Sequence, residues 1–280
     1  MADEVMSAGS EMAAIVPEFW SSAWYPTLLE KLPFNSSVAT DYQGEISQLG
    51  DTVNISSIPQ FDLAVEIQEN EKVDADSTTL SGQQLVINKQ LAKDYIITKK
   101  ALKQSLDAQT ALRDLALHSI MKKMQSIIIA AIVPSASAPD HSIAYDSGTT
   151  LALADILEAK ELLDNADVEE LGRQMVLGAA QYNDLFNITG FTSKDFVPAG
   201  SPLSSGAVTL PVLGFEVKWT SEVGNTAYLF HPIFMQLAVQ QLPQVEVFNL
   251  GGEGKRAQRV NMDVLFGIKQ CSNLRVATIG

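Results

Sequence analysis

Residues 107–133, DAQTALRDLALHSIMKKMQSIIIAAIV, decide how the rest of this 280-residue chain is arranged. Apolar side chains recur in the stretch every three or four positions, at Leu112, Ala116, Ile120, Met124, Ile127 and Ala131. This spacing places them on one face of an α-helix, which at this length would run about 40 Å. We therefore predict one long helix with that face in a core. Pro134, directly after the stretch, predicts a sharp end.

The composition is that of a globular protein with a sizeable core, at 46% hydrophobic and 19% charged residues. The single cysteine, Cys271, excludes an intrachain disulfide and indicates a reducing compartment, where we expect it to be a buried, inert thiol. The N-terminal MADEVMSAGSEM is acidic, and no apolar run approaches the roughly 18 residues of a membrane span. We expect a soluble, cytoplasmic protein with no membrane partner.

The net charge of −14 is unevenly distributed along the chain. Residues 1–76 hold fourteen acidic residues and two lysines, for −12, whereas residues 77–123 hold eight basic and three acidic residues, for +5. One interpretation is that both segments are solvated faces. The other is that the acidic segment lies against the basic one, within one subunit or across two.

Two segments before the helix carry apolar surface that needs a covering partner. Residues 17–34 contain eight large apolar side chains, among them Trp20 and Trp24, which are candidates for contact with another subunit. Residues 49–92 alternate as two strands of a long hairpin, with apolar positions that include Phe61, Leu63, Val65 and Ile67. An isolated two-stranded arm has exposed edges and little core. We therefore predict that the hairpin makes most of its contacts with another subunit.

The remainder of the chain alternates between predicted helices and strands, which indicates an α+β fold. The predicted helices span residues 151–165, 181–186 and 232–240. The predicted strands span residues 174–177, 215–219, 228–230, 245–248, 258–268 and 273–279.

The motifs of common enzymes are missing from the sequence. The three histidines, His118, His141 and His231, have no metal-binding spacing, and GGEGKR at 251–256 lacks the spacing of a phosphate-binding loop. We predict no catalytic residue, no metal site and no cofactor, and so a structural protein. The alternative is an enzyme of unrecognised class whose acidic arm is a lid.

Three stretches together resemble the major capsid proteins of tailed bacteriophages with the HK97-type fold. Residues 16–58 are similar to the family's N-terminal arm and the first strand of its extended loop, with DYQGEI at 41–46 and GDTV at 50–53. Residues 156–186 are similar to its segment of helix, arginine-containing strand and short helix, with Arg173, Tyr182 and Leu185 in the expected places. GFEVKWTSEV and YLFHPIFMQLAVQQLPQVEV resemble the part that follows.

The resemblance implies how the chain divides. The expected parts are an N-terminal arm at 1–48, an extended β-hairpin or E-loop at 49–92, a peripheral domain with a long spine helix at 93–135, an axial domain at 136–250, and C-terminal strands at 251–280 that return to the peripheral domain.

The resemblance also implies partners and a location. It implies self-assembly into hexamers and pentamers of an icosahedral shell around double-stranded DNA, bound without sequence specificity. A scaffolding protein, a portal and, in some shells, decoration proteins would be partners, and assembly would take place in the host bacterial cytoplasm. An encapsulin-like compartment has the same fold and differs mainly in its cargo.

Charge then predicts which segments meet between subunits. The acidic candidates are Glu66, Glu69, Glu71, Asp74 and Asp76. The basic candidates are Lys99, Lys100, Lys103, Lys122 and Lys123. We expect pairs between these groups to set the orientation of docking, while apolar contacts hold the shell. In the contrary arrangement, the acids line the interior and the bases face DNA phosphates.

Overall fold

The computed structural model describes residues 29–42, 52–57, 64, 66, 81–100, 107–146, 148, 150–188, 213–253 and 256–280. The helices are α1 (Phe34–Ser37), α2 (Asp107–Ala130), α3 (Leu153–Asn165) and α4 (Ala179–Asp184), with 3-10 turns at Leu185–Asn187, Pro232–Phe234 and Leu250–Glu253. The strands are β1 (Thr52–Ser57), β2 (Ser81–Val86), β3 (Lys89–Thr98), β4 (Ser142–Ile143), β5 (Gln174–Leu177), β6 (Glu216–Trp219), β7 (Ala227–Phe230), β8 (Met235–Asn249), β9 (Ala257–Gln270) and β10 (Val276–Ile279).

The long helix is confirmed as α2, which ends at Ala130, three residues before the predicted end at Val133. Its buried face differs in part from the prediction. The buried residues are Ala116, Ile120, Met124, Gln125 and Ile128, whereas Leu112 is 40% exposed. Residues four apart lie about 40° further round a helix at each step. Residues spaced by four therefore shift gradually around the helix and leave the buried face after a few turns. Leu112 lies at the end of the series where the side chain has moved out to the surface.

The first core lies between α2 and a three-stranded antiparallel sheet with the order β3-β9-β8. Strand β9 is central, and its alternate residues Met262, Val264 and Phe266 are buried in this core. Such alternation is the period of a strand with one face in a core, and the strand predicted at 258–268 is confirmed as part of β9. The segment 29–42 adds Phe34 and Val38 to the same core, so the end of the N-terminal arm is part of the folded unit.

The second core lies under a five-stranded sheet with the order β4-β10-β7-β5-β6. Helix α3 contributes Ile156, Ala159 and Leu163, all fully buried. Strand β10 pairs with β7 and β4 in this sheet, whereas β9 pairs with β3 and β8 in the other. The last thirty residues thus contribute to both sheets, and the division of the chain into named domains stays a prediction.

The helix predicted at 232–240 was wrong. The chain forms a 3-10 turn, Pro232–Phe234, and then enters β8, which pairs with β9 from Met235 opposite Gln270 to Asn249 opposite Gln258. These cross-strand bonds and the burial of residues 235–238 outweigh the local preference that Pro232 suggested. Pro243 lies where the register shifts, on the edge strand, which is where a sheet tolerates proline.

Strands β1 and β2 form the base of the predicted hairpin, with Thr52 opposite Val86 and Ser57 opposite Ser81. This base is attached to its own chain, because Leu85 and Ile87 are buried against Ala238. At Gly267, a Cβ would come within 2.5 Å of the Val86 carbonyl oxygen, so glycine permits the close approach.

Candidate subunit interfaces

The segment 29–42 is fastened to α2 by a buried amide. Gln125 is fully buried, and its Oε1 accepts a hydrogen bond from the Phe34 N–H at 3.3 Å. Its Nε2 donates to the Glu222 carboxylate at 2.8 Å and lies 3.4 Å from the Thr220 hydroxyl. That hydroxyl donates to the Lys31 carbonyl at 2.8 Å. One side chain thus joins the arm, the long helix and the loop after β6.

Lys122, a candidate for pairing between subunits, is engaged within its own chain. Its ammonium forms ion pairs with Glu30 and, at 3.6 Å, with Glu222. The hydrogen bond to Glu30 raises the pKa of Lys122, as the two carboxylates together favour its charged form. Glu30 belongs to the acidic segment and Lys122 to the basic one. At this point, therefore, the two segments meet within one subunit.

The outer half of β8 is an exposed apolar edge. Strand β8 is an edge strand of its sheet in the described part of the chain. Over residues 240–249 its side chains are half-buried or exposed, with Leu242 65% and Val247 55% exposed. Val245 and Phe248 are exposed as well. A sheet edge that carries exposed apolar side chains is suited to contact with another chain.

The apolar surface continues on one face of the same sheet. The cross-strand register places Phe248 opposite Arg259, and Arg259 opposite Ile96 on β3. Ile96 is 60% exposed. Arg259 lies between Phe248 and Ile96, and its Nε donates to the Asp94 carboxylate at 2.9 Å. Val247 lies opposite Val260 and Val245 opposite Met262, so these two valines lie on the other face of the sheet, the face that carries the first core. We name the set Ile96, Leu242, Val245, Val247 and Phe248, which flanks this edge on both faces, the β8 patch.

Sequence reasoning missed the β8 patch, although one signal was present. QQLPQVEVFN was interpreted as ending in a strand, but Pro243 within it indicates an edge strand, whose outer side lacks a partner in the sheet. The strand was predicted at 245–248 without any prediction of which of its side chains are exposed.

The structure places only some of the predicted contact residues. Lys99, Lys100 and Lys123 are exposed, as is Glu66. The other candidates lie outside the described residues: Trp20, Trp24, Phe61, Leu63, Val65, Ile67, Glu69, Glu71, Asp74, Asp76 and Lys103. The predicted pairing between subunits therefore stays a prediction.

Within the described ranges, no group of three or more His, Cys, Asp or Glu side chains could hold a metal ion. Cys271 is half-buried, and burial raises the pKa of its thiol. Of the described helices, none combines the length and the apolar character needed to cross a membrane.

A family model described as phage capsid protein matches residues 30–267, which is most of the chain. The chain belongs to this phage capsid protein family. The resemblance inferred from the three stretches is thereby confirmed, and the role of the capsid protein is structural. A search of curated proteins finds no match.

Solved structures share the fold of the capsid protein. A structure from Mycobacterium phage Che8 has a TM-score of 0.73 at 21% identity, and the match covers 95% of this chain and 97% of that one. The cyanophage Pam1 capsid asymmetric unit has a TM-score of 0.74 at 16% identity and covers 100% and 99%. The mature capsid of bacteriophage PhiM1 has a TM-score of 0.68 at 12% identity and covers 94% and 91%. The predicted HK97-type α+β fold is confirmed.

Proposed function

We propose that this protein is the major capsid protomer of a tailed phage, and that it self-assembles into hexamers and pentamers of an icosahedral shell around double-stranded DNA. Assembly takes place in the cytoplasm of the host bacterium, with a scaffolding protein and a portal, and the protein holds DNA without reading its sequence. The family match supports the structural role and the virion location.

The β8 patch carries the self-association part of this proposal. Its five side chains are exposed on one chain, and the strand that bears four of them is the edge of its sheet. A neighbouring subunit that covered the patch would bury apolar surface at about 25 cal/mol per Å² and could add a strand at this edge. Because this contact would be repeated around a shell, it would make the main apolar contribution to the free energy of association between subunits.

Charge supplies the second part, the orientation of neighbouring subunits. We propose that the acidic hairpin residues, Glu69 and Glu71 among them, approach Lys99, Lys100 or Lys123 of a neighbour. Each exposed pair contributes only about 0 to 1 kcal/mol, so these pairs fix register and encounter rate. Screening acts over about 8 Å at physiological ionic strength, so assembly would slow as salt rises.

Substitution in the β8 patch tests the apolar contact. Val247→Glu would place a charge in the interface, and every 1.4 kcal/mol of cost lowers affinity about tenfold. Gln244→Glu adds the same charge to a position on the same strand that is already polar, and serves as the matched control. The measurement is particle yield by analytical ultracentrifugation, with urea unfolding of both variants to show that each is folded. Equal particle yields would contradict the role of the patch.

Charge reversal tests the orientation. Glu69→Lys and Glu71→Lys should slow assembly at low salt and weaken its salt dependence, as followed by light scattering. Unchanged rates and an unchanged salt dependence would eliminate the pairing and favour the arrangement in which the bases face DNA phosphates. The absorbance ratio at 260 and 280 nm of purified particles then separates a nucleic acid cargo from the protein cargo of an encapsulin-like compartment.

A further inference from the structure

A groove with a volume of about 500 Å³ opens between the arm residues 29–36 and one face of α2. Its apolar walls are Leu29, Leu32, Leu117 and Met121. Asp114, Asn35, Ser36 and His118 supply polar groups to the lining. Leu29 is 52% exposed and Leu117 36% exposed, so the groove is an apolar surface that the described residues leave uncovered.

The contacts of the arm fix the direction in which the chain crosses α2. The His118 ring lies 3.1 Å from the Glu30 carbonyl oxygen, and Asn35 Nδ2 donates to the Met121 carbonyl at 2.9 Å. Further along, the Phe34 N–H reaches Gln125. From Glu30 to Asn35 the arm therefore runs in the same direction as α2.

We infer that this groove binds the aromatic segment 19–28 of the same chain, with Trp24 and Tyr25 as the side chains that fill it. The segment is the part of the chain that ends where the groove begins, because Leu29 is itself a wall. The inference assigns Trp24 to a contact within one subunit, in place of the contact between subunits predicted from the sequence, and goes beyond the proposed function of shell assembly.

The chemistry of the groove matches that of the two side chains. Trp and Tyr bury about 150–250 Å² each and keep an N–H or O–H that needs an acceptor. The groove offers leucine and methionine walls with the Asp114 carboxylate among its lining groups. A leucine alone would fill less of the volume, and a lysine would leave its charge against apolar walls.

The tether favours the segment of the same chain over that of a second copy. The five residues from Trp24 to Leu29 span at most about 18 Å when fully extended. A short flexible tether of this kind gives an effective concentration in the millimolar range. At about 10 μM protein, the same chain is thus favoured about a hundredfold over a free second copy.

Cross-linking of the full chain tests this inference. We would introduce Ser22→Cys with Asp114→Cys, or with Leu117→Cys as a second version, in a chain whose Cys271 is replaced by serine. A short bismaleimide reagent and peptide mass spectrometry then report the yield. Lys123→Cys is the matched control, because it lies on the opposite face of the same helix and is exposed. We expect the groove pairs to cross-link at least tenfold faster than the control pair.

Two further measurements separate docking from mere proximity. Adding Trp24→Ser and Tyr25→Ser to the Ser22→Cys, Asp114→Cys chain should lower the rate to that of the control. Mixing chains of two lengths that carry one cysteine each should give little cross-linked heterodimer. Equal rates for groove and control pairs, no effect of removing the aromatic side chains, or efficient cross-linking between chains would each overturn the inference. All of these measurements are made on the unassembled chain at about 10 μM, so a failure to form shells would leave them unchanged.

Discussion

Replacing Gln125 by methionine should weaken the attachment of the arm to α2 while preserving side-chain volume. The change removes the acceptor of the Phe34 N–H and the donor to Glu222. Phe34 is fully buried, so its N–H would have no water to replace the lost bond. An orphaned buried donor costs about 1–3 kcal/mol, and a hydrogen bond to a charged group contributes about 1.5–3 kcal/mol.

The net effect is smaller than the sum of these losses. Methionine gains from burial in an apolar core, and Glu222 keeps the ammonium of Lys122 at 3.6 Å. We therefore expect the free energy of unfolding to fall by about 2–4 kcal/mol, with the bond to Thr220, at 3.4 Å, contributing little.

Urea unfolding of the unassembled chain measures the change, with Lys123→Met as control. That substitution puts the same residue on the same helix at an exposed position, where changes are usually within about 0.5 kcal/mol. A loss in Gln125→Met no larger than that in the control would refute the account of Gln125 as the joint between arm, helix and loop.

Three further substitutions test other parts of the fold. Arg173 is 2% exposed and donates hydrogen bonds to the Asp164 carboxylate and to the Glu169 and Val168 carbonyls. Arg173→Ala should therefore lower the free energy of unfolding in urea by about 3 kcal/mol. The surface change Lys160→Ala should lower it by at most about 1 kcal/mol. A Cβ at Gly178 would overlap the Gly224 carbonyl oxygen, so Gly178→Ala should yield little soluble protein, whereas Gly82→Ala, with no atom within 4 Å, should express normally. The hydrogen bond from Lys160, with a smaller contribution from that of Arg173, holds the pKa of Asp164 below its ordinary value. Its carboxylate therefore stabilises the fold above the unfolded pKa of about 3.9, and the stability gap between the natural chain and Asp164→Asn should close as pH falls through the lower folded pKa; a gap constant from pH 7 to 3 would contradict this.

Sequence periodicity predicted well the elements whose type is determined by the pattern of apolar residues within the element itself. The three- and four-residue spacing in 107–133 predicted α2, and the strand predicted at 258–268 is found within β9. The helix predicted at 232–240 was wrong because the decisive partner, β9, lies about thirty residues further along the chain. A local pattern contains no information about such a partner.

The same reasoning explains the parts of the interfaces that were not predicted. In the sequence, Gln125 is a polar residue within the long helix, and nothing nearby indicates its hydrogen-bond partners. The Phe34 N–H and the Glu222 carboxylate are 91 and 97 residues away. The described part of the chain leaves the β8 patch exposed, and the strand predicted at 245–248 carried no information about the surface that would cover it. Charge segregation suggested that the acidic and basic segments meet. Lys122 and Glu30 form such a contact within one subunit, whereas the predicted pairing across subunits stays a prediction.

Electron microscopy of the expressed protein, alone and together with the neighbouring genes of its phage, tests the central claim most directly. We predict closed icosahedral particles built from hexamers and pentamers, with each β8 patch covered by an adjacent subunit and nucleic acid inside the particles formed in infected cells. Small, discrete oligomers under all of these conditions, with the β8 patch open to solvent, would contradict the account.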